Sequence, residues 1–270
     1  NMDSVTIGFI FYLTLILVIG ILAAKKTHNL KDYALGGNKL GPTVIAFSER
    51  ASGESSWLIL GLPGAALILG LFEIWTVLGC LSGIILSWII IAKPLREQTE
   101  KHNVITLPDF FEKKFNDDSG IIRLLSSLII TFFFTFYVAA QFAGAGKVLN
   151  VTFGISNFDG MMLGALIIIF YTLIGGFLAV AWTDFIQGII MFSTLVILPL
   201  VALFELNNAG YSYNMDLTNI YGGKSGYTAF IAVIGGLSWG LGYMGQPHLI
   251  TRYMAIDKVE NIAMSRKIAY

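Results

Sequence analysis

The apolar residues of this chain come in runs of about 20, the length a helix needs to cross roughly 30 Å of hydrocarbon. Seven candidate spans are read at residues 4–24, 43–71, 75–91, 121–146, 161–180, 183–204 and 228–251, and an eighth begins at Ile262. The polar stretches between them are short. Residues 25–41 form a glycine-bearing loop with Asp32-Tyr33-Ala34-Leu35-Gly36-Gly37. Residues 93–118 form the longest charged segment, and within it Thr106-Leu107-Pro108-Asp109-Phe110-Phe111-Glu112 offers a cap, an early proline and first-turn acids. That spacing predicts a short amphipathic helix on the membrane surface. The pattern as a whole predicts an all-α polytopic membrane protein. The first run follows Asp3 and precedes Lys25 and Lys26, the reverse of a cleaved signal peptide's polarity, so it reads as a true spanning helix.

Basic residues orient the spans. Lys25, Lys26, Lys31 and Lys39 follow the first span; Lys93, Arg96, Lys101, Lys113, Lys114 and Arg123 follow the third; Arg252, Lys258, Arg266 and Lys267 follow the seventh. Fourteen of the 17 Lys and Arg residues thus fall on one side, with Lys147 and Lys224 opposite and Arg50 near the start of the second span. The positive-inside rule places those loops in the cytoplasm and the N-terminus outside the cell membrane.

Two spans are interrupted. The seventh contains Leu237-Ser-Trp-Gly-Leu-Gly-Tyr-Met-Gly-Gln-Pro-His248, with Gly240, Gly242, Gly245 and Pro247. Each glycine costs a helix interior about 1 kcal/mol relative to alanine, and proline about 3. Broken backbone at membrane depth is tolerated only where it is buried in protein or lines a cavity. Trp239, Tyr243 and Pro247, spaced i, i+4, i+8, share one face wherever helix persists. The segment reads either as a binding site or as a kinked packing helix. The second span is broken likewise, at Ala51-Ser52-Gly53-Glu54-Ser55-Ser56-Trp57 and Gly61-Leu62-Pro63-Gly64. The two lie five spans apart and so cross in opposite directions, which points to an inverted five-helix repeat and a transporter's central site. The expected layout is a leading span (4–24), a first repeat (43–204) and the start of a second (228–270), a piece not expected to transport alone.

Composition narrows the chemistry. The chain is 56% hydrophobic and 13% charged, with zero formal net charge, which excludes a soluble domain and gives no footprint for nucleic acid. Its single cysteine, Cys80, rules out an intrachain disulfide. His28, His102 and His248 lie on separate segments without metal spacing, and no phosphate loop or nucleophile elbow is present, so no enzyme chemistry is expected. Glu54 is the residue most out of place, because a carboxylate within a span marks a functional site by default. With hydroxyls at Ser52, Ser55 and Ser56 and freed carbonyls, it suits a hard cation such as sodium. The alternative is that Glu54 neutralises Arg50, one turn earlier. Asp184 reads as a cap of the sixth span, which Thr183 could also provide, or as a group on an ion path. Tyr137, beside Gln141, faces a cavity or is an ordinary buried aromatic; Phe132, Phe133, Phe134 and Phe136 are packing.

These motifs resemble a known family. Asp32-Tyr33 with Gly36-Gly37, Arg50-Ala51-Ser52 and Gly61-Leu62-Pro63-Gly64-Ala65 are similar to the sodium:solute symporter family. Thr106 to Phe111, Tyr171-Thr172 with Gly175 to Val180, Trp182-Thr183-Asp184, Trp239 to Tyr243 and Gly245 to His248 look most like its sodium/proline branch. The resemblance implies a LeuT-like inverted-repeat fold of thirteen spans with one extra leading helix, of which this chain holds about the first half. It implies a sodium-coupled importer of proline or a similar small solute, working by rocking of one bundle against another. Sodium would be held at Ala51 and Glu54, with Ser55 and Ser56 flanking the ion and solute sites. Trp239, Tyr243 and Pro247 would line the solute site with Tyr137 nearby, and Asp184 would serve the ion path. One departure is clear: the proline branch usually has Asp after the Ala-Ser pair, where this chain has Gly53, with Glu54 next and Ser56 where Gly is usual. That moves the carboxylate about 100° around a helix. Other expectations are a different organic solute, or a membrane sensor domain built on the same fold.

Overall fold

The computed structural model describes residues 3–210 and 219–270, and its architecture is helical. The leading helix α1 (Ser4–Ala24) starts where the Asp3 carboxylate accepts the Thr6 amide at 2.8 Å. A short α2 (Leu30–Leu35) follows, capped by Asn29. The His28 backbone amide donates to the Asp32 carboxylate in this loop and holds it below the usual carboxylate range. The second span comprises α3 (Pro42–Gly53), an interruption at residues 54–56, a π-helical turn (Trp57–Gly61) and α4 (Leu62–Leu69). After it come α5 (Ile74–Leu86), a second π-turn (Ser87–Ile91) and α6 (Ala92–His102). The expected surface helix is α7 (Leu107–Lys114), its Thr106 hydroxyl accepting the Asp109 amide at 3.2 Å. Two long helices follow, α8 (Ile121–Phe153) and α9 (Asn157–Asn208). The seventh span is α10 (Gly226–Leu237), α11 (Trp239–Gly245) and α12 (Pro247–Ala255), and α13 (Ile262–Ala269) comes last.

Among the described residues, five helical stretches are long and apolar enough to cross a membrane: Ser4–Ala24, Leu62–His102, Ile121–Phe153, Asn157–Asn208 and Gly226–Gly245. The first half of the second span is not among them, because the break cuts α3 off at 12 residues, while α4 falls within the Leu62–His102 stretch. Two of the stretches contain a reversal at a positive-φ glycine. In α9 it is Gly176 (φ 58°, ψ −152°), a conformation essentially reserved to glycine. Before it, α9 runs alongside α1 in the same direction: Phe9 and Leu163 line one cavity, and Gly20 abuts Tyr171. After it the chain returns, since Gln187 donates to the Tyr12 hydroxyl. The reversal therefore falls at Gly176 rather than between residues 180 and 183. Residue 176 must be glycine for space as well, because a Cβ there would lie 2.7 Å from the Tyr33 carbonyl oxygen.

Gly70 (φ 62°, ψ −142°) makes the corresponding reversal into the third span. That span runs beside the seventh, with Trp75 against Gly236, Gly83 against Gly240, and Trp88 packed edge-on to Tyr253 at 4.7 Å. Gly79 and Gly83 on α5 face Gly236 and Gly240, two small-xxx-small stripes in direct backbone contact. A Cβ on Gly79 would fall 2.6 Å from the Gly236 carbonyl oxygen.

The end of the seventh span is tied down from several loops. Asn38 donates through Nδ2 to the Met254 carbonyl at 2.6 Å, and the Asp257 amide donates to Leu40 O at 3.1 Å. Arg96, buried, donates through Nε to Ile256 O at 2.9 Å and through Nη2 to Asp257 O at 3.2 Å. Arg96 and Arg252 count among the loop cations by sequence, yet both are buried.

Candidate functional site

The second and seventh spans lie against each other in opposite directions. Ser48 meets Arg252, Ser52 meets His248, Gly53 meets Tyr243, and Trp57 stacks on Trp239. As one index rises the other falls, so the two interruptions lie opposite each other. In the second span helix stops at Gly53, and Glu54 is extended (φ −91°, ψ 103°). In the seventh, Gln246 is extended (φ −73°, ψ 114°) and Pro247 starts a new helix, the position at which its missing N–H costs least. Pro247 is thereby parted from Trp239 and Tyr243, and the expected three-residue face is broken at Gln246.

Freed backbone groups at the breaks find specific partners. The Ser56 amide donates to Gln141 Oε1 on α8 at 2.9 Å, and the Trp57 amide donates to Ser55 Oγ at 3.1 Å. The Ser52 carbonyl lies 3.2 Å from His248 Nε2, and the Gly53 carbonyl accepts from the Tyr243 hydroxyl at 3.5 Å. His248 is packed between Phe134 and Tyr137 of α8, ring centroids 5.4 and 5.3 Å away, and its Nδ1 is buried with no partner among the described residues.

A charged network crosses the middle of this assembly. Arg252 Nη2 lies 2.9 Å from Asp184 Oδ2, both groups buried. Ser48 Oγ donates to the same carboxylate oxygen at 2.6 Å and Ser52 Oγ at 3.0 Å. Arg252 also donates from Nε to Ser48 Oγ at 2.9 Å, from Nη2 to Ser52 Oγ and from Nη1 to the His248 carbonyl. Asp184 is therefore no helix cap. The reversal at Gly176 leaves it eight residues inside a continuous helix, where Thr183 bonds back to the Val180 carbonyl. Nor does Arg50 pair with Glu54. Its guanidinium grips Glu49, Nη2 to Oε1 at 2.5 Å and Nε to Oε2 at 2.7 Å. Glu49, 1% exposed, also accepts from Trp88 Nε1 at 3.0 Å.

The predicted residues divide among several places. Ala51 and Glu54 line one cavity of about 420 Å³, with Arg50, Gly188, Met191 and Phe192. Ser56 lines a second, about 450 Å³, with Tyr12, Tyr171 and Gln187. Pro247 lines a third, about 520 Å³, with Thr251, Leu107 and Arg123, whose guanidinium holds Asp109 at 3.1 Å. Trp239, 48% exposed, stacks on Trp57 with centroids 4.9 Å apart, while Tyr243 is buried. Sequence reasoning missed Glu49, Gln141, His248 and Arg252. A search for apolar runs interrupted by a polar side chain could have found the last two, since both sit within or at the end of the seventh run. Among the described residues no group of three or more His, Cys, Asp or Glu is placed to hold a metal.

Long apolar helices around a buried polar seam, with two facing breaks, define a polytopic helical membrane protein. The profile of the sodium:solute symporter family matches residues 33–270. The chain is 44% identical over 259 residues to the high-affinity proline transporter PutP of Bacillus subtilis (strain 168), covering 93% of this chain and 54% of that protein. It is 39% identical to the osmoregulated proline transporter OpuE of the same strain, covering 98% of this chain and 54% of the relative. The sodium/proline symporter of Staphylococcus aureus (strain NCTC 8325 / PS 47) is 40% identical, covering 95% and 51%. The chain spans about half the length of the curated relatives it matches. It belongs to the sodium:solute symporter family.

Proposed function

We propose that the protein is a sodium-coupled secondary-active symporter that imports proline or a similar small solute across the cell membrane. It works by alternating access in an inverted-repeat fold with its N-terminus outside. The observation that carries this reading is the antiparallel apposition of the two broken spans, which sets the Ser52 and Gly53 carbonyls against His248 and Tyr243 and stacks Trp57 on Trp239. Sodium is assigned to Ala51, Glu54 and Ser55, because hard oxygens at a helix break suit a hard cation. Solute contacts are assigned to Trp239, Tyr243, Pro247, Ser56 and Tyr137, and Asp184 to the ion path. The proline transporters among its relatives support the choice of solute.

The test uses the full-length protein in proteoliposomes. An inward sodium gradient is expected to drive proline accumulation, and no gradient-driven uptake of proline or any related small solute would overturn the reading. Tyr243→Ala and Trp239→Ala are expected to raise the solute half-saturation more than that for sodium. The loss of a phenol hydrogen bond to a charged solute group is worth about 1.5–3 kcal/mol. Equal half-saturation in both variants and the parent would return these rings to packing. Glu54→Gln is expected to raise the sodium concentration needed for uptake while the protein still inserts; unchanged sodium dependence would remove Glu54 from the ion site.

A further inference from the structure

Glu49, Arg50 and Glu54 sit within one and a half turns of the second span, and among the described residues only Glu49 and Arg50 form an ion pair. On an unbroken helix Arg50 and Glu54, at i and i+4, are natural partners, whereas adjacent residues do not face each other. The structure shows the less expected arrangement. Both oxygens of Glu49 take the Arg50 guanidinium, at 2.5 and 2.7 Å, in the bidentate form that is the strongest such contact. The adjacent pair is possible because Glu49 is turned and held from outside its own helix. Trp88 Nε1 donates to it at 3.0 Å, Trp88 packs on Tyr253, and Tyr253 shares a 2.9 Å hydrogen bond with Ser87. Arg50 lines the same 420 Å³ cavity as Glu54, yet among the described residues its ion pair is with Glu49 alone.

We propose that Glu49 is a positioning residue for the coupling-ion site, holding the Arg50 guanidinium away from Glu54 so that the Glu54 carboxylate stays free to face the cavity. The charge balance favours this division. With Glu49 and Arg50 answering each other, the cavity keeps one uncompensated negative charge, which one monovalent cation neutralises. A guanidinium turned onto Glu54 would cancel that charge and repel an incoming cation at short range. The inference rests on the sodium-coupled reading above and deepens it. It gives a role to a buried residue that does not line the cavity.

The experiment measures uptake by the full-length protein against sodium at saturating solute, and against solute at saturating sodium. Glu49→Gln frees Arg50, and the sodium half-saturation is expected to rise about tenfold or more, the scale of a nearby unscreened charge, with the solute half-saturation changed far less. Glu49→Gln with Arg50→Gln removes the guanidinium as well and is expected to bring the sodium value back to within about threefold of the parent, since no competing charge remains. Should Glu49→Gln fail to reach the membrane, Glu49→Asp, which shortens the grip by one methylene, carries the same expectation with a smaller rise. Unchanged sodium half-saturation in the single variants, or no recovery in the double, overturns the proposal while leaving sodium coupling intact. Sodium-independent uptake by the parent would instead remove the coupling reading, and this proposal with it.

Discussion

Arg252→Gln is expected to cost the folded protein more than any other single charge removal in the chain. The guanidinium lies between Asp184, Ser48, Ser52 and the His248 carbonyl, all within the buried seam where the second, sixth and seventh spans meet. Taking one partner from a buried pair leaves an uncompensated charge, at about 3–5 kcal/mol. Asp184 would keep its two serine hydroxyls, at 2.6 and 3.0 Å, which soften the loss without answering the charge. Asp184→Asn should be destabilising as well, because Arg252 then remains charged and buried. The informative variant is the double, Asp184→Asn with Arg252→Gln, which should be more stable than the sum of the singles by about 0.5–3 kcal/mol, the coupling of residues in one network. Midpoints of thermal unfolding in detergent measure this. Strict additivity would show that the two groups do not depend on each other.

Gly83→Leu is expected to prevent the third and seventh spans from packing. A Cβ at this position already falls on the Gly240 carbonyl group, 2.7 Å from its carbon, and no flexible side chain is there to give way. Overpacking costs typically about 1–3 kcal/mol where neighbours can adjust. Here the neighbour is backbone on a helix that carries the proposed solute residues, so the loss should exceed that range and appear as little folded protein in the membrane. Gly242→Ala on α11 is the matched control: nothing lies within 4 Å of its added methyl, and exchanging glycine for alanine in a helix gains about 1 kcal/mol. Normal amounts of the Gly83→Leu protein, or loss of the Gly242→Ala protein, would mean the glycine seam is not what joins these spans.

Much of this arrangement is legible in the sequence because bilayer physics leaves few options. Most of the apolar runs, the short helix behind the Thr106 cap, and the two glycine-broken spans crossing in opposite sense appear where the pattern predicts them. What the pattern could not settle was partner choice. Arg252 lies five residues past Pro247 at the end of an apolar run, so it counts as a loop cation until the structure buries it against Asp184. Arg50 has an acid at i−1 and another at i+4. Helix geometry favours the second, but the helix ends before Glu54, and Trp88 from another span turns Glu49 toward Arg50. The reversal in α9 was misplaced by a few residues because Trp182-Thr183-Asp184 looks like a helix start, whereas the turn needs only the one conformation that Gly176 can adopt.

The bonds that tie down the end of the seventh span decide where that span can bend. Beyond Gln246, α12 is anchored through Arg252, through Tyr253 and Ser87, and through the Met254 and Ile256 carbonyls, each to a different part of the chain. Before Gln246, α11 is held by backbone contact with α5 at Gly240 and by the buried Tyr243. A rod held along both halves gives first at the joint between them. That joint is Gln246, where the helical hydrogen bonding is already interrupted, so bending there breaks no further backbone bond. The joint between α11 and α12 thus lies at the level of the opposite break, where a small rotation would change how the two interrupted spans face each other.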